Sequence, residues 1–476
     1  MSFLRQLGIN LRARRYANFT LGNAMLGNDA RRRSLLTLAI ETSCDDTAVA
    51  LLEKHDPSHA CNGPLMSLHF HEKITADSKE YQGIHPLVAL DSHQSSLSKL
   101  INKSLRFLPN APNDSDFAGS IILQSSDGNP IWRRKPDFIS VTRGPGMRSN
   151  LATGLDTAKG LSVAWQIPLV GVHHMQGHLL TPRLESAMKI KTNNASQKIS
   201  PEFPFLSILV SGGHTMLVNS KSLDKHTILA ATIDIAMGDA IDKTARLVLP
   251  PSLLASTEAT MYGKSMEAFA FPGGKDDHSF YEPPSTRHAE IAKRKSGDYD
   301  WEFNLPLSNT RKLEFSFAGI PSRVKRIFNE RKAAFPTDAT TEDIMSYNER
   351  VALARMVMQI CFEHLASRTV IALDDLKARG ECPPTTLVVS GGVAANQFLW
   401  TVLRRFLDAR GYSDIELIAP KPALCTDNAA MIAWAGLEMF ESGVQSDLSC
   451  LALRKWSLDP DAEDGGIMGV GGWIKS

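Results

Sequence analysis

His174 and His178 stand four residues apart in the stretch GVHHMQGH, an interval that puts two side chains on one face of a helix. Two imidazoles on one face can bind one metal ion and leave positions open for a third ligand and a substrate. The same pair can serve as solvated or capping histidines, so spacing alone leaves both readings standing. Two glycine turns add a second kind of chemistry. Ser211-Gly212-Gly213 and Ser390-Gly391-Gly392 each follow an apolar run, Phe205 to Val210 and Thr386 to Val389. Such turns can present backbone N–H groups to a phosphate without any basic side chain. One turn alone could be no more than a tight reversal; the pair favours nucleotide binding. There is no G-x-x-x-x-G-K-[ST] loop and no Rossmann fingerprint, which disfavours those two nucleotide-binding classes. Asp242 is placed to reach a ribose hydroxyl or to balance a helix dipole. Asp427 reads as the N-cap of a terminal helix. It becomes a metal ligand only if folding brings it to His174 and His178, and mixed imidazole and carboxylate ligation would then fit zinc or iron.

The elements that must position these residues read as a repeated plan. A strand at Leu36–Ile40 leads into the turn Glu41-Thr42-Ser43-Cys44-Asp45-Asp46-Thr47, a return strand to Leu52 and a third strand, His69 to Thr75. Phe138 to Val141, the turn Gly144-Pro145-Gly146 and a helix carrying Leu151, Leu155, Ala158 and Leu161 on one face follow. The strand Pro168–Val172 then delivers the chain to the histidines. After a Ser-, Asn- and Lys-rich linker near 185–201, Phe205 to Ile233 repeats the opening hairpin, and Thr386 onwards repeats the strand, glycine turn and helix. Two such lobes predict a duplicated α/β fold with paired turns facing a cleft. The expected lobes are 35–172, joined by a C-terminal helix near 427–450, and 173–426, with insertions near 250–262 and 272–300. The polar stretch 109–136 reads as a surface insertion, and Glu342 to Lys377 as one long helix.

Composition sets the class. At 476 residues, 43% hydrophobic and 22% charged, the chain is long enough for two or three globular domains. A net charge of +1 excludes a uniformly basic nucleic-acid binder and leaves room for a local basic face. One candidate is the stretch with Arg323, Lys325, Arg326, Arg331 and Lys332, either a solvated helical face or an RNA contact. No run approaches the apolar length of a membrane span. Six cysteines without a CxxC pair read as free thiols. Residues 1–34 contain seven arginines against the single acid Asp29, the composition of a mitochondrial transit peptide, with a basic arm touching RNA as the other reading.

The motifs IETSCDDT, GIHPLVALDSH, VTRGPGM, AKGL, GVHHMQGH, LVSGGHT, GDAIDKTA, VVSGGVAANQFL and LCTDNAAMIA occur in this order between about Leu35 and Gly436. In this the chain resembles the tRNA threonylcarbamoyladenosine synthase family, and the Asp-Asp pair of SCDDT resembles its mitochondrial branch. The resemblance implies the duplicated two-lobe fold of actin, Hsp70 and sugar kinases, RNase H-like in each lobe. It implies transfer of a threonylcarbamoyl group from threonylcarbamoyl-adenylate, made by a separate enzyme, to the adenosine 3′ of the anticodon in mitochondrial tRNAs reading codons that start with A. Carried over by position, His174, His178 and Asp427 would hold one divalent ion per subunit. Leu209, Val210, Ser211, Gly212, Gly213, Asp242, Gly263 and Asn396 would contact the adenylate. A homodimer in the mitochondrial matrix is also implied. Two departures stand out: Tyr262-Gly263-Lys264 follows an insertion where the family has Tyr-Pro-Gly-Gly, and Phe315-Ser316-Phe317-Ala318-Gly319-Ile320-Pro321 lacks the second serine and the lysine of FSFSGLK. Asp45 is the residue best suited to position or accept the amine proton, against a purely structural turn carboxylate. A metallopeptidase, which would use the same histidines but lacks HEXXH, and a non-catalytic nucleotide-binding assembly factor are the alternatives.

Overall fold

The computed structural model describes residues 34–56, 63–81, 84–111, 119–125, 127–192, 197–256, 262–333, 344–381 and 383–475. The arginine-rich leader, 1–33, and the stretch 257–261 of the first expected insertion lie outside them; Ser34 already opens the first strand.

The first sheet begins as an antiparallel meander: β1 (Ser34–Glu41), β2 (Asp46–His55) and β3 (Met66–Thr75). Leu38 pairs with Leu51 and Ile40 with Val49. Nearly every residue of β1 is buried, as a strand covered on both faces requires. The helix α1 (Pro86–Leu105) and the hairpin β4 (Ser120–Gln124) and β5 (Pro130–Arg134) follow. That hairpin occupies the stretch expected to be a surface insertion. Its strands are short and half-buried, and Arg134 ties it to Glu53 at 2.6 Å and Asp137 at 2.7 Å. Then come β6 (Phe138–Gly144), α2 (Arg148–Trp165), β7 (Leu169–His173) and α3 (His174–Lys189). Strands β6 and β7 add in parallel to β1.

The second sheet repeats the arrangement. Strands β8 (Phe205–Val210), β9 (Thr215–Ser220) and β10 (His226–Thr232) form an antiparallel meander. The helices α4 (Met237–Val248), α5 (Pro251–Ser256), α6 (Gly263–Ala270) and α7 (Arg287–Ile291), with the short strands β11 (Arg294–Lys295), β12 (Glu302–Phe303) and β13 (Glu314–Phe315), lead to α8 (Gly319–Lys332) and α9 (Tyr347–Ala378). The long helix starts later than expected, at the N-cap Ser346, whose hydroxyl accepts from the Glu349 N–H, the serine half of a capping box. Strands β14 (Thr386–Ser390) and β15 (Glu416–Ile418) flank α10 (Gln397–Ala409) and add in parallel to β8. Between residues 272 and 300 most residues are exposed, and a few buried anchors pin the stretch to the lobe. Tyr281 and Glu290 are buried there, and Arg405 and Arg410 on the following helix region bind the Tyr281 carbonyl and the Glu290 carboxylate, both at 2.6 Å. Side-chain bonding of this kind leaves no periodic trace in sequence.

Helix α11 (Ala429–Glu441) packs on β1, β2, β6 and β7 and against α3. Beyond it, β16 (Val444–Ser446) and β17 (Trp473–Lys475) extend the first sheet past β7. The strand orders are therefore β17-β16-β7-β6-β1-β2-β3 and β13-β10-β9-β8-β14-β15. One apolar cluster containing Ala39, Val172, Leu209, Val388 and Trp434 runs between the two sheets, so the lobes share core. The four cysteines among the described residues are free thiols, and no helix there is long and apolar enough to cross a membrane.

Candidate active site

The histidine pair owes its place to the β7–α3 junction. His173 caps α3, its ring nitrogen accepting the Met175 N–H at 3.1 Å, and α3 then turns His174 and His178 towards one another, ring centroids 4.8 Å apart. Asp427 lies two residues before α11, and folding brings it to both rings. Its Oδ1 is 3.1 Å from His178 Nε2 and 3.5 Å from His174 Nε2. The N-cap is not Asp427 but Asn428, which accepts from Met431 N–H at 3.0 Å. Both residue types cap well, so sequence had no means of choosing; the shift by one residue frees the aspartate.

Behind His174 stands a residue that sequence reasoning passed over. Glu41, at the end of β1, is fully buried and its Oε2 lies 3.2 Å from His174 Nδ1. It also accepts the Thr142 hydroxyl and the Ser43 N–H, while Ser43 Oγ is 3.0 Å from the same Nδ1. The available signal was an acid closing an otherwise apolar strand. Burial works against charge throughout this group. At His174 the carboxylates of Asp427 and Glu41 outweigh it and hold the imidazole pKa well above its ordinary value. At Asp427 the two histidines outweigh it and hold the carboxyl well below its usual range; at Glu41, His174 with help from Ser43 outweighs burial and the charge of Asp427 and lowers the pKa.

The donor atoms of His174, His178 and Asp427 all lie within 4.8 Å of one another. They fit a divalent cation: two Nε2 atoms and one carboxylate oxygen converge, and the carboxylate on Nδ1 fixes the ring of His174 as metal-bound histidines require.

The turns divide the remaining residues. Leu209 and Val210 are buried in β8, and Ser211-Gly212-Gly213 forms the β8–β9 hairpin turn rather than leading into a helix. Ser211 Oγ accepts the N–H groups of Gly213 and His214 at 3.2 and 2.9 Å, so the Gly213 donor expected to face a phosphate is engaged within the turn. Above Gly212, Gly213 and Gly392 there is open space where a Cβ would stand, whereas Gly391, at φ +98°, lies against the Val210 carbonyl. The two serine–glycine turns sit side by side, because β14 pairs Ser390 with Leu209. The 41–46 turn borders the histidines from their own, first sheet. His214 approaches from the second sheet; after desolvation, His174 and His178 lower its pKa.

Asp242 accepts the Tyr262 and Gly263 N–H groups at 2.8 and 2.9 Å, so these two predicted contacts are neighbours. Asn396 caps α10 through Oδ1, with Phe398 N at 3.0 Å and Leu399 N at 3.2 Å, and its amide nitrogen donates to Met358 Sδ at 3.6 Å. Asp45 is partly buried at the first turn. Burial raises its pKa most, then the charge of Asp46, with a smaller increment from Asp427. The FSFAGI segment keeps both phenylalanines in the core, and Ser316 bonds Asp234 at 2.6 Å. In the basic stretch Arg331 is bound to Glu349 at 2.9 Å, and Arg323 to the Glu302 carbonyl at 3.2 Å, so part of it serves the fold.

The structure is a duplicated α/β frame with a His–His–carboxylate group, able to hold a divalent cation, where its two sheets meet. The chain belongs to the tRNA N6-adenosine threonylcarbamoyltransferase family, whose model matches residues 130–434. It is similar to the mitochondrial tRNA N6-adenosine threonylcarbamoyltransferase of Schizosaccharomyces pombe, 34% identical over 449 residues, covering 93% of this chain and 90% of that one. The Brucella ovis tRNA N6-adenosine threonylcarbamoyltransferase is 32% identical over 424 residues, 89% of this chain and 95% of that one. Among solved structures, T. kodakarensis HypF overlays loosely, with a TM-score of 0.37 and 13% identity over 85% of this chain and 48% of that one. The chain is an acyltransferase whose substrate is tRNA.

Proposed function

We propose that this protein moves the threonylcarbamoyl group from threonylcarbamoyl-adenylate to N6 of the adenosine 3′ of the anticodon, in mitochondrial tRNAs reading codons that start with A. The convergence of His174, His178 and Asp427 carries the reading. These residues would hold one zinc or iron ion, which when bound can orient the donor or polarise one of its oxygens. Glu41 and Ser43 keep the ring of His174 turned for that task. The adenylate lies over the open side of Gly212 and Gly213, with Leu209, Val210, Ser211, Asp242, Gly263 and Asn396 around it. The N6 nitrogen attacks the carbamoyl carbon, the bond from that carbon to the phosphate oxygen breaks, and AMP leaves. N6 loses one proton, and Asp45 accepts it; a carboxylate with a raised pKa is the better base near neutrality. The donor comes from a separate enzyme, the working form is a homodimer, and residues 1–34 direct the chain to the mitochondrial matrix.

Incubating the purified protein with threonylcarbamoyl-adenylate and unmodified tRNA, followed by nucleoside analysis, tests this. Threonylcarbamoyladenosine is the expected product. Peptide cleavage, or nucleotide binding with unmodified tRNA, would instead favour a metallopeptidase or an assembly factor. Fusion of residues 1–34 to a fluorescent protein tests targeting, and a diffuse cytosolic signal contradicts it.

A further inference from the structure

The reaction above makes no use of the segment that follows α11. This segment runs back over the first sheet, setting Ser446 opposite Leu169 and pairing β17 with β16. Two cations are consumed in holding it. Arg143 donates to the Leu451 and Gly471 carbonyls at 3.0 and 2.6 Å, its guanidinium 5.5 Å from the rings of both Trp456 and Trp473. Lys159 donates to the Cys450 carbonyl at 2.6 Å. The segment also reaches the site: His173 Nε2 bonds the Trp456 carbonyl at 3.1 Å, and the Gly146 N–H the Arg454 carbonyl at 3.3 Å. The next residue, Met147, donates its N–H to the Ser43 carbonyl at 3.0 Å. Residues 454–456 therefore flank the Ser43–His174 pair on the first-sheet side, whereas the Ser211 turn belongs to the second sheet.

Three further cations here are not consumed. Arg148, Arg454 and Lys455 are exposed, and among the described residues no acid or carbonyl pairs with their side chains. Arg148 occupies the first position of α2, whose cap, Met147, offers no side-chain acceptor and whose first turn holds no acid. A cation there stands at the positive end of the helix dipole, where an anion is favoured. Arg454 and Lys455 line a surface depression with Pro145, Glu463 and Asp464. Asp464 keeps its charge but turns its two oxygens to the Ser457 and Gly466 N–H groups at 2.7 and 3.1 Å, and Glu463 is the exposed acid of that depression.

We propose that Arg148, Arg454 and Lys455 form a cationic rim that takes backbone phosphates of the tRNA flanking the target adenosine. The inference rests on the transferase reading and adds the surface by which the RNA is held. Phosphate contacts position a nucleic acid without reading its sequence, so the rim should act on every tRNA substrate alike and weaken with salt. The experiment compares wild type, R454E/K455E, R148E and the charge-keeping R454K/K455R variant. It measures tRNA affinity over a salt series, with melting temperature, metal content and donor affinity in parallel. R454E/K455E should bind tRNA about tenfold or more weakly, and its log–log salt slope should be shallower by about one for each phosphate that is no longer neutralised. R148E should show a smaller effect of the same kind, and R454K/K455R should behave as wild type. Unchanged tRNA affinity and salt slope in R454E/K455E overturn the rim. So does a weakening matched by equal losses of metal or donor, because the segment would then act through the site. Wild-type protein that leaves tRNA unmodified overturns the transferase reading itself.

Discussion

The turn after β1 and the turn after β8 occupy the same place in two copies of one fold, yet they are built for opposite purposes. The first is filled: Glu41 is fully buried, bonded to Thr142 and Ser43, and braces His174. Asp45 beside it feels burial and two neighbouring carboxylates. The second is hollow. Gly212 and Gly213 are exposed with empty space above their Cα atoms, and Ser211 spends its hydroxyl folding the turn on itself. Duplication set where the turns lie, and side-chain chemistry then split the work. In the proposed reaction one turn aims the metal ligands and handles a proton, while the other leaves room for a phosphate-bearing donor.

The sharpest way to break this division is at the ligands. His174→Ala or Asp427→Ala should lower single-turnover modification at saturating donor by about two to three powers of ten, the usual result of removing one strong transition-state interaction. Donor affinity should change far less. Wild-type rates for His174→Ala after chelation would remove the metal from the mechanism. Glu41→Gln acts one bond further out and should weaken metal binding about 10- to 100-fold, as removal of a carboxylate behind a ligating imidazole typically does; metal titration reads this directly.

The same group predicts a pH signature. In the metal-free protein the raised His174 pKa contributes stability that is complete below its ordinary value near 6.5 and is lost as pH rises through the raised value. The lowered Asp427 and Glu41 values contribute stability present above the usual carboxylate range and lost as pH falls through them. Metal-free protein should thus gain most from these groups between about pH 4.5 and 6.5, the ordinary values of the two group types. Added zinc, which competes with the His174 proton, should raise the melting temperature more at pH 8 than at pH 5. An equal rise at both would mean that zinc does not displace that proton.

Much of this division could be read before any coordinates. Apolar runs located β1, β2, β6 and β8, and the His174–His178 interval and the two glycine turns marked the chemistry. What stayed hidden lies in pairings at long range. Glu41 meets His174 across 133 residues and Asp427 meets His178 across 249, distances over which no local pattern carries information. The β4–β5 hairpin escaped notice because its strands are only five residues long, and the buried anchors within 272–300 because long-range side-chain bonds, not periodicity, hold them. Strands β16 and β17 are three residues each, too short for alternation to show.

The finest test compares two glycines within the second sheet's turns. Gly391 has φ +98° and a Cβ there would clash with the Val210 carbonyl oxygen. Gly391→Ala must therefore move backbone, and a destabilisation of about 1–3 kcal/mol is expected from the forced conformation, seen as a lowered melting temperature. Gly212 has no positive φ to preserve and no atom within 4 Å of the added methyl. Gly212→Ala should fold normally, and it can gain about 0.4–1 kcal/mol because alanine restricts the unfolded chain. Its methyl nevertheless occupies the space assigned to the adenylate, so donor affinity should fall about tenfold, roughly 1.4 kcal/mol. Calorimetric unfolding and donor titration on both variants separate the two roles. If Gly212→Ala binds donor as tightly as wild type, the hollow above the turn is not where the adenylate lies, and the glycine there serves the hairpin alone.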